Sequence, residues 1–280
     1  MPGTTGAPTL FPAGYLPTVI YLTAASIDAA TARALPPTAT PTATPNFIPA
    51  TTGPSATPTT GPGIPLAAIQ IKAPGPMSRV VSPLQVQMLA VAGDSHRMQI
   101  DLFGEDGRLL GRTLSAVFGS ADGDPLAVKI PFEIRAAGEN GFVQVSTKDA
   151  HGRVQSLVTV RVLLLSSGIS QINPPGNTIY EQVVFSNLPT DSDISGGVLP
   201  VKGQFMPYSR KPAILSLKGE DGRPISQRVL PVGGTDWQPF STTLPFKVDK
   251  PTPAYLVVEQ ADDVLDGQAY VYTRALTLNP

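Results

Sequence analysis

The pentapeptide Gly-Glu-Asp-Gly-Arg occurs twice in this 280-residue chain, at Gly104–Arg108 and at Gly219–Arg223. In both places Asp-Gly separates two apolar runs, "MQIDLF" from "RLLGRTL" and "AILSLK" from "RPISQRVL". Asp-Gly in that setting is a hairpin signal, because glycine accepts the positive φ that a tight turn demands. The neighbourhood repeats as well. "LQVQMLAV" (Leu84–Val91) corresponds to "LPVKGQFM" (Leu199–Met206) at the same offset of 115. "IPFEI" (Ile130–Ile134) corresponds to "LPFKV" (Leu244–Val248) at 114. "FVQVS" (Phe142–Ser146) matches "YLVVE" (Tyr255–Glu259), and "VRVLLL" (Val160–Leu165) matches "TRALTL" (Thr273–Leu278), both at 113. A constant order with slightly drifting offsets means a duplicated unit with small changes in its loops. The alignment puts Gly107 on Gly222, Phe132 on Phe246 and Arg161 on Arg274.

The unit is built of strands. "LQVQMLAV", "RMQIDLF", "LAVKIPFEI", "FVQVS" and "VTVRVLLL" are short, rich in β-branched or aromatic residues, and bounded by turn formers. No run of similar length has helical periodicity. A unit of about 100 residues with roughly seven strands has the size and pattern of an immunoglobulin-like sandwich. The chain has no cysteine, so an intersheet disulfide is excluded and apolar interdigitation must join the sheets. The fold expected is all-β: two tandem immunoglobulin-like β-sandwiches, over 64–168 and 169–280, behind a disordered or extended Pro/Thr-rich segment, 1–63. The openings "IKAPGP" (Ile71–Pro76) and "INPPGN" (Ile172–Asn177) match at an offset of 101. The jump from 101 to 115 predicts an insertion in the second copy near 178–195, forming an added hairpin or loop that contacts the first copy or covers a sheet edge.

"IQIKAPGPMSRVVSPLQVQMLAVAG", the Asp-Gly hairpin, "PFEI" and "FVQVSTKDAHG" together resemble the immunoglobulin-like domain of bacterial spore germination proteins, Gmad2. Pro74, Gly75, Val80, Ser82, Pro83, Leu84 and Val86 fit that family's opening, and Met88 replaces its usual glycine. In the second copy Pro175, Gly176, Leu199, Val201 and Gly203 fit, without the Ser-Pro step. The resemblance covers Ile69–Leu165 well and Ile172–Leu278 less completely. It implies a non-catalytic extracellular module, of a kind common on surface lipoproteins, whose ligands are not generally defined. A Thr/Pro stalk before such domains is similar to secreted proteins of Chloroflexota-type bacteria.

Before Gly63 the only charged residues are Asp28 and Arg33. "PPTATPTATP" and "ATPTTGPGIP" fix φ and remove amide donors, so this tract is expected to be a semi-rigid stalk or linker, with threonines open to O-glycosylation. About thirty such residues in polyproline II would span roughly 90 Å. Tyr15–Leu35 lacks the basic start of a signal peptide, so any signal peptide or anchor is expected to be absent from or upstream of this chain. No run of 18 apolar residues predicts a transmembrane helix.

Charge and chemistry narrow the function. Twenty basic and 21 acidic side chains give a net charge of −1, which gathers no nucleic acid. The two histidines, His96 and His151, sit in polar turns beside Asp94 and Asp149, too few ligands for a metal. "TDSD" (Thr190–Asp193) and "ADDVLDG" (Ala261–Gly267) lack the spacing of a calcium loop. No nucleophile elbow, phosphate loop or zinc-protease helix is present. No catalytic, cofactor or metal site is predicted, and the chain is expected not to be an enzyme. Trp237 and five tyrosines lie in the second copy. On the alignment at offset 113, Val271, Thr273, Ala275 and Thr277 take the core face of the last strand. Tyr270, Tyr272 and Arg274 then face out as an amphipathic stripe. Trp237, Tyr270, Tyr272 and Arg274 are therefore the candidate ligand or partner surface. The function expected is an extracellular or cell-surface structural or assembly module of a bacterial envelope. The alternative is a ligand-binding module for glycan or peptide that uses the aromatic surface of the second domain. An envelope protein, a surface glycan or a second copy is the expected partner.

Overall fold

The computed structural model describes residues 64–280 except 121, 122, 190, 191, 232, 233 and 265. The stalk expected over 1–63 lies outside the described residues, as do Thr190 and Asp191 of the first acidic turn.

In the first copy the strands are β1 (Ile69–Ala73), β2 (Arg79–Val81), β3 (Leu84–Ala90), β4 (Arg97–Phe103), β5 (Leu109–Ala116), β6 (Asp124–Ile130), β7 (Gly138–Lys148) and β8 (Val154–Leu165). They form two layers. One has the order β1-β3-β6; the other has β5-β4-β7-β8, with β2 parallel to the far end of β8. Alternation drives the layering. In β3, Leu84, Val86, Met88 and Ala90 are buried while Gln85 and Gln87 face water. The opposing β8 sends Val158, Val160, Val162 and Leu164 into the same interior. Burying one face of each sheet in this way is what joins the two layers.

The second copy repeats the plan with β9 (Val183–Phe185), β10 (Ser192–Ile194), β11 (Val198–Phe205), β12 (Ala213–Gly219), β13 (Pro224–Leu230), β14 (Gln238–Pro245), β15 (Thr252–Ala261) and β16 (Gln268–Leu278). Its layers are β14-β11-β9 and β13-β12-β15-β16, with β10 parallel to β16. Both copies are therefore immunoglobulin-like sandwiches. The two Gly-Glu-Asp-Gly-Arg turns are superposable in detail. Gly104 and Gly219 each donate to the arginine carbonyl four residues on at 2.9 Å, and Gly107 and Gly222 have φ of 78° and 79°.

The pairings correct the expected insertion. Val183 and Phe185 lie opposite Phe205 and Gly203, as Ile69 and Ile71 lie opposite Ala90 and Met88. Residues 192–194 run along β16 as residues 79–81 run along β8. The stretch 178–195 thus contains the second copy's own first two strands. The extra residues precede them, as a strap between the copies. Gln171 bridges Arg79 and Tyr180 bridges Leu66, while Ile179 and Pro65 carbonyls accept from Ala67 and Glu181. The match of "INPPGN" to "IKAPGP" was composition: the strap lies against Gly75, where a β-carbon would meet the Pro174 carbonyl oxygen at 1.8 Å.

Candidate functional site at the junction of the sandwiches

The edge of β8 that β2 leaves open is Ser156–Val158. It pairs antiparallel with Tyr270–Tyr272 of β16, so the two four-stranded layers, with β2 and β10 at their sides, become one continuous sheet of ten strands. The registers are Tyr270 to Val158, Val271 to Leu157 and Tyr272 to Ser156. Position by position, this is a two-fold contact. Val143 faces Val160 in the first copy and Leu256 faces Arg274 in the second, which makes Val160 and Arg274 equivalent. Leu157 is then the equivalent of Val271, and the pair sits on the pseudo-two-fold axis. Antiparallel edges are self-complementary, so a duplicated edge strand closes on its own copy without leaving unpaired donors.

Side chains fix the junction on the outer face of this sheet. Gln144 Nε2 donates to the Gln268 carbonyl at 2.8 Å. Arg153 bonds Asp149 at 2.6 Å and the Glu220 carbonyl, and its guanidinium lies 5.5 Å from the Tyr255 ring centre. Burial opposes ionisation of Asp149, but the Arg153 amide and guanidinium hold its carboxyl below the usual range. On the other flank Arg161 reaches the fully buried Asp262 at 3.0 Å and lies between the rings of Phe142 and Tyr208. Burial raises the Tyr208 hydroxyl well above the ordinary phenol range.

Beside Arg153 runs a cleft of about 710 Å³. Leu157, Val257 and Val271 form its apolar floor, a cluster separate from the sandwich interiors. The Asp106-Gly107 turn and the Gly219–Gly222 turn rise on its two sides, together with Val264, Asp266 and Gly267 of the β15–β16 turn. The repeated pentapeptide therefore frames one cleft twice. Sequence reading missed this site. Its signal was Leu157 and Val271 on the outward face of strands whose inward face was already apolar.

The predicted surface is overturned in part. Tyr270 is 1% exposed and lies in the interior; its hydroxyl donates to Glu181 at 2.9 Å. Tyr272 packs on the same core, and burial raises its hydroxyl above the usual range. Arg274 also points inward, 5.2 Å from the Phe185 ring centre, and donates to the Leu188 carbonyl and to Tyr272 Oη at 2.8 Å. These three do share a face, but it is the core face. The cause is one residue in a turn. Asp149 closes on Arg153, whereas Asp262 closes on Gly267, one position further. The last strand is therefore offset by 114 rather than 113, and a one-residue shift exchanges the faces of a strand. Arg161 on the outer face is accordingly no equivalent of Arg274. Trp237 is half-buried just before β14, in the other layer. Among the described residues no three His, Cys, Asp or Glu converge as metal ligands. Asp262 and Asp263 instead serve Arg161 and the Arg210 amide.

No family model matches the chain, and no curated protein matches it. Among solved structures, red sea bream transglutaminase is similar over 77% of this chain, at 10% identity and a TM-score of 0.29; the chain spans 31% of that protein. The calcium binding domain CBD12 of CALX1.1 is similar over 70% of this chain and 82% of its own, at 12% identity and a TM-score of 0.23. A chimeric titin Z1Z2 tandem is similar over 78% of this chain and 98% of its own, at 14% identity and a TM-score of 0.23. These likenesses are distant; strand order and register carry the fold assignment.

Proposed function

We propose that the chain is a non-catalytic structural or assembly module of the bacterial envelope or exterior, in which two fused sandwiches act as one rigid body behind a Thr/Pro spacer. The observation that carries this reading is the continuous sheet through β8 and β16. Tandem domains joined by a free linker move independently, whereas a shared sheet with a partly buried ion pair across the junction transmits force and orientation. The resemblance of Ile69–Leu165 to the spore-germination immunoglobulin-like module supports an extracellular setting. The alternative glycan- or peptide-binding stripe on the second domain loses its support, because Tyr270 is buried, Tyr272 packs on the core half-buried, and Arg274 is turned toward Phe185 and the Leu188 carbonyl.

Calorimetry on residues 59–280 tests the rigid body. A single transition is expected, with equal calorimetric and van't Hoff enthalpies. Two resolved transitions in the native sequence would overturn it. Protease shaving and surface biotinylation of the producing cells test the location: the chain is expected in the labelled, shaved fraction.

A further inference from the structure

Three Asp-Gly steps lie wholly among the described residues: Asp106-Gly107, Asp221-Gly222 and Asp266-Gly267. An aspartyl carboxyl before glycine is open to attack by the glycine's own backbone amide, since no β-carbon shields that nitrogen. The attack needs an amide free of hydrogen bonds and a carboxyl that turns onto it. The carboxyl must also be protonated, because one of its oxygens leaves as water.

The two pentapeptide turns withhold these conditions. The Gly107 amide donates to the Gly104 carbonyl at 3.0 Å, and the Gly222 amide to the Gly219 carbonyl at 2.9 Å. Asp106 Oδ1 accepts from the Arg108 amide at 3.1 Å, and Oδ2 lies 2.9 Å from Arg108 Nη1. The Arg108 guanidinium holds that carboxyl below its usual pKa. Asp221 is tied in the same way, with Oδ1 on the Arg223 amide at 3.0 Å and Oδ2 3.6 Å from Arg223 Nε. The β15–β16 turn is different. It is closed by Asp262, whose amide donates to the Gly267 carbonyl at 3.2 Å and whose Oδ1 accepts from the Val264 amide at 2.7 Å. Asp266 and Gly267 are exposed, and among the described residues nothing engages the Asp266 carboxyl or the Gly267 amide. The space around Gly267 is open, since a β-carbon there would meet nothing within 4 Å.

We propose that Asp266-Gly267 is a self-modifying site, at which the chain passes through a cyclic imide to an isoaspartyl linkage. The Gly267 nitrogen bonds to Asp266 Cγ and gives up its proton, one Cγ–O bond of the protonated carboxyl breaks, and water leaves. Water then adds back to the imide. Opening at Cγ restores aspartate. Opening at the main-chain carbonyl leaves the chain running through the side chain, one carbon longer and unchanged in mass. That carbon enters directly ahead of Gln268, whose carbonyl accepts from Gln144, and of the Tyr270–Tyr272 pairing with β8, so the modification loosens the junction.

The full chain is aged in neutral buffer, native and in urea, digested with trypsin, and sequenced by electron-transfer mass spectrometry, which distinguishes isoaspartyl from aspartyl peptides. In the native chain, isoaspartate at 266 should exceed that at 106 and 221 by about tenfold or more, since there a bonded amide and a bound carboxylate must first be released. In urea the three steps should converge, because only the fold separates them. Asp266→Glu, whose longer side chain closes the ring poorly, should abolish the signal at unchanged melting temperature. Amides of residues 156–158 and 268–272 should exchange faster in the aged chain than in the fresh one. Equal isoaspartate at the three native steps, or isoaspartate at 266 that forms only in urea, would overturn the site. Exchange unaltered by isoaspartate at 266 would overturn its effect on the junction.

Discussion

Glu181 is a carboxyl group sealed where three segments meet. Its Oε1 accepts from the Ala68 amide at 2.9 Å and its Oε2 from the Tyr270 hydroxyl at 2.9 Å, so it ties the entry of the first sandwich to the last strand of the second. Burial raises its pKa above the usual carboxylate value, against the opposing pull of those two donors and Arg274. A raised folded-state pKa means that the folded chain holds this proton more tightly than the unfolded chain. Its stabilising contribution is complete below the unfolded value and is lost as pH rises through the folded one. Urea denaturation of wild type and Glu181→Gln from pH 4 to pH 8 should therefore show wild type losing ground to the variant as pH rises. Parallel curves would exclude Glu181 as the titrating group. Arg274 is the other unusual residue on the core face, half-buried there, and the sequence concealed it. Arginine reads as surface, and only the alternation of Tyr270, Tyr272, Leu276 and Leu278 marks its face as the core. Arg274→Ala removes the donor to the Leu188 carbonyl and the cover over Phe185, and is expected to cost about 2–4 kcal/mol in chemical denaturation.

At the scale of elements, the strands were legible because each pairs a two-residue alternation with turn formers at its ends. β3, β4 and β12 follow that alternation closely, and the twin hairpins were legible from Asp-Gly alone. Less legible were features set by a neighbour rather than by the local chain. The three-residue strands β9 and β10 carry too few side chains to show a period. The register of β16 hung on a turn one residue longer than its counterpart. The hairpins allow a direct comparison. Gly107→Ala and Gly222→Ala each place a β-carbon at positive φ, at a cost of about 1–2 kcal/mol. Gly222 should be the more sensitive, since its β-carbon would also meet Arg153 Nη1 at 3.0 Å and disturb the junction. Thermal denaturation of the two variants should rank them in that order. The junction cleft itself was hidden from sequence reading, since its lining comes from both copies and only their pairing brings it together.

On the scale of the whole molecule, the pairing of Leu157 with Val271 resembles a homodimer contact that gene duplication has made internal. The first copy still carries every group its half of that contact needs. In a fragment of residues 64–182 the strap contacts to Leu66, Ala67 and Arg79 are kept, while Ser156–Val158 is left as an open edge beside an exposed Leu157. An open edge strand with an apolar residue at its centre is a template for a second strand. The pseudo-two-fold register then dictates the partner: Ser156 opposite Val158 of a second fragment, and Leu157 opposite Leu157. The fragment should therefore form a concentration-dependent dimer. That dimer should be weaker than the junction in the intact chain, where the strap raises the effective concentration of the two edges. Sedimentation velocity over a range of loading concentrations measures this directly. Leu157→Lys would place like charges opposite each other on the axis and should leave a folded monomer. In the intact chain, β16 already covers the edge, so residues 59–280 should show no dimer through β8. A fragment that stays monomeric at every concentration, or a dimer indifferent to Leu157→Lys, would mean that the junction owes its stability to the strap and the Arg161–Asp262 pair rather than to strand pairing.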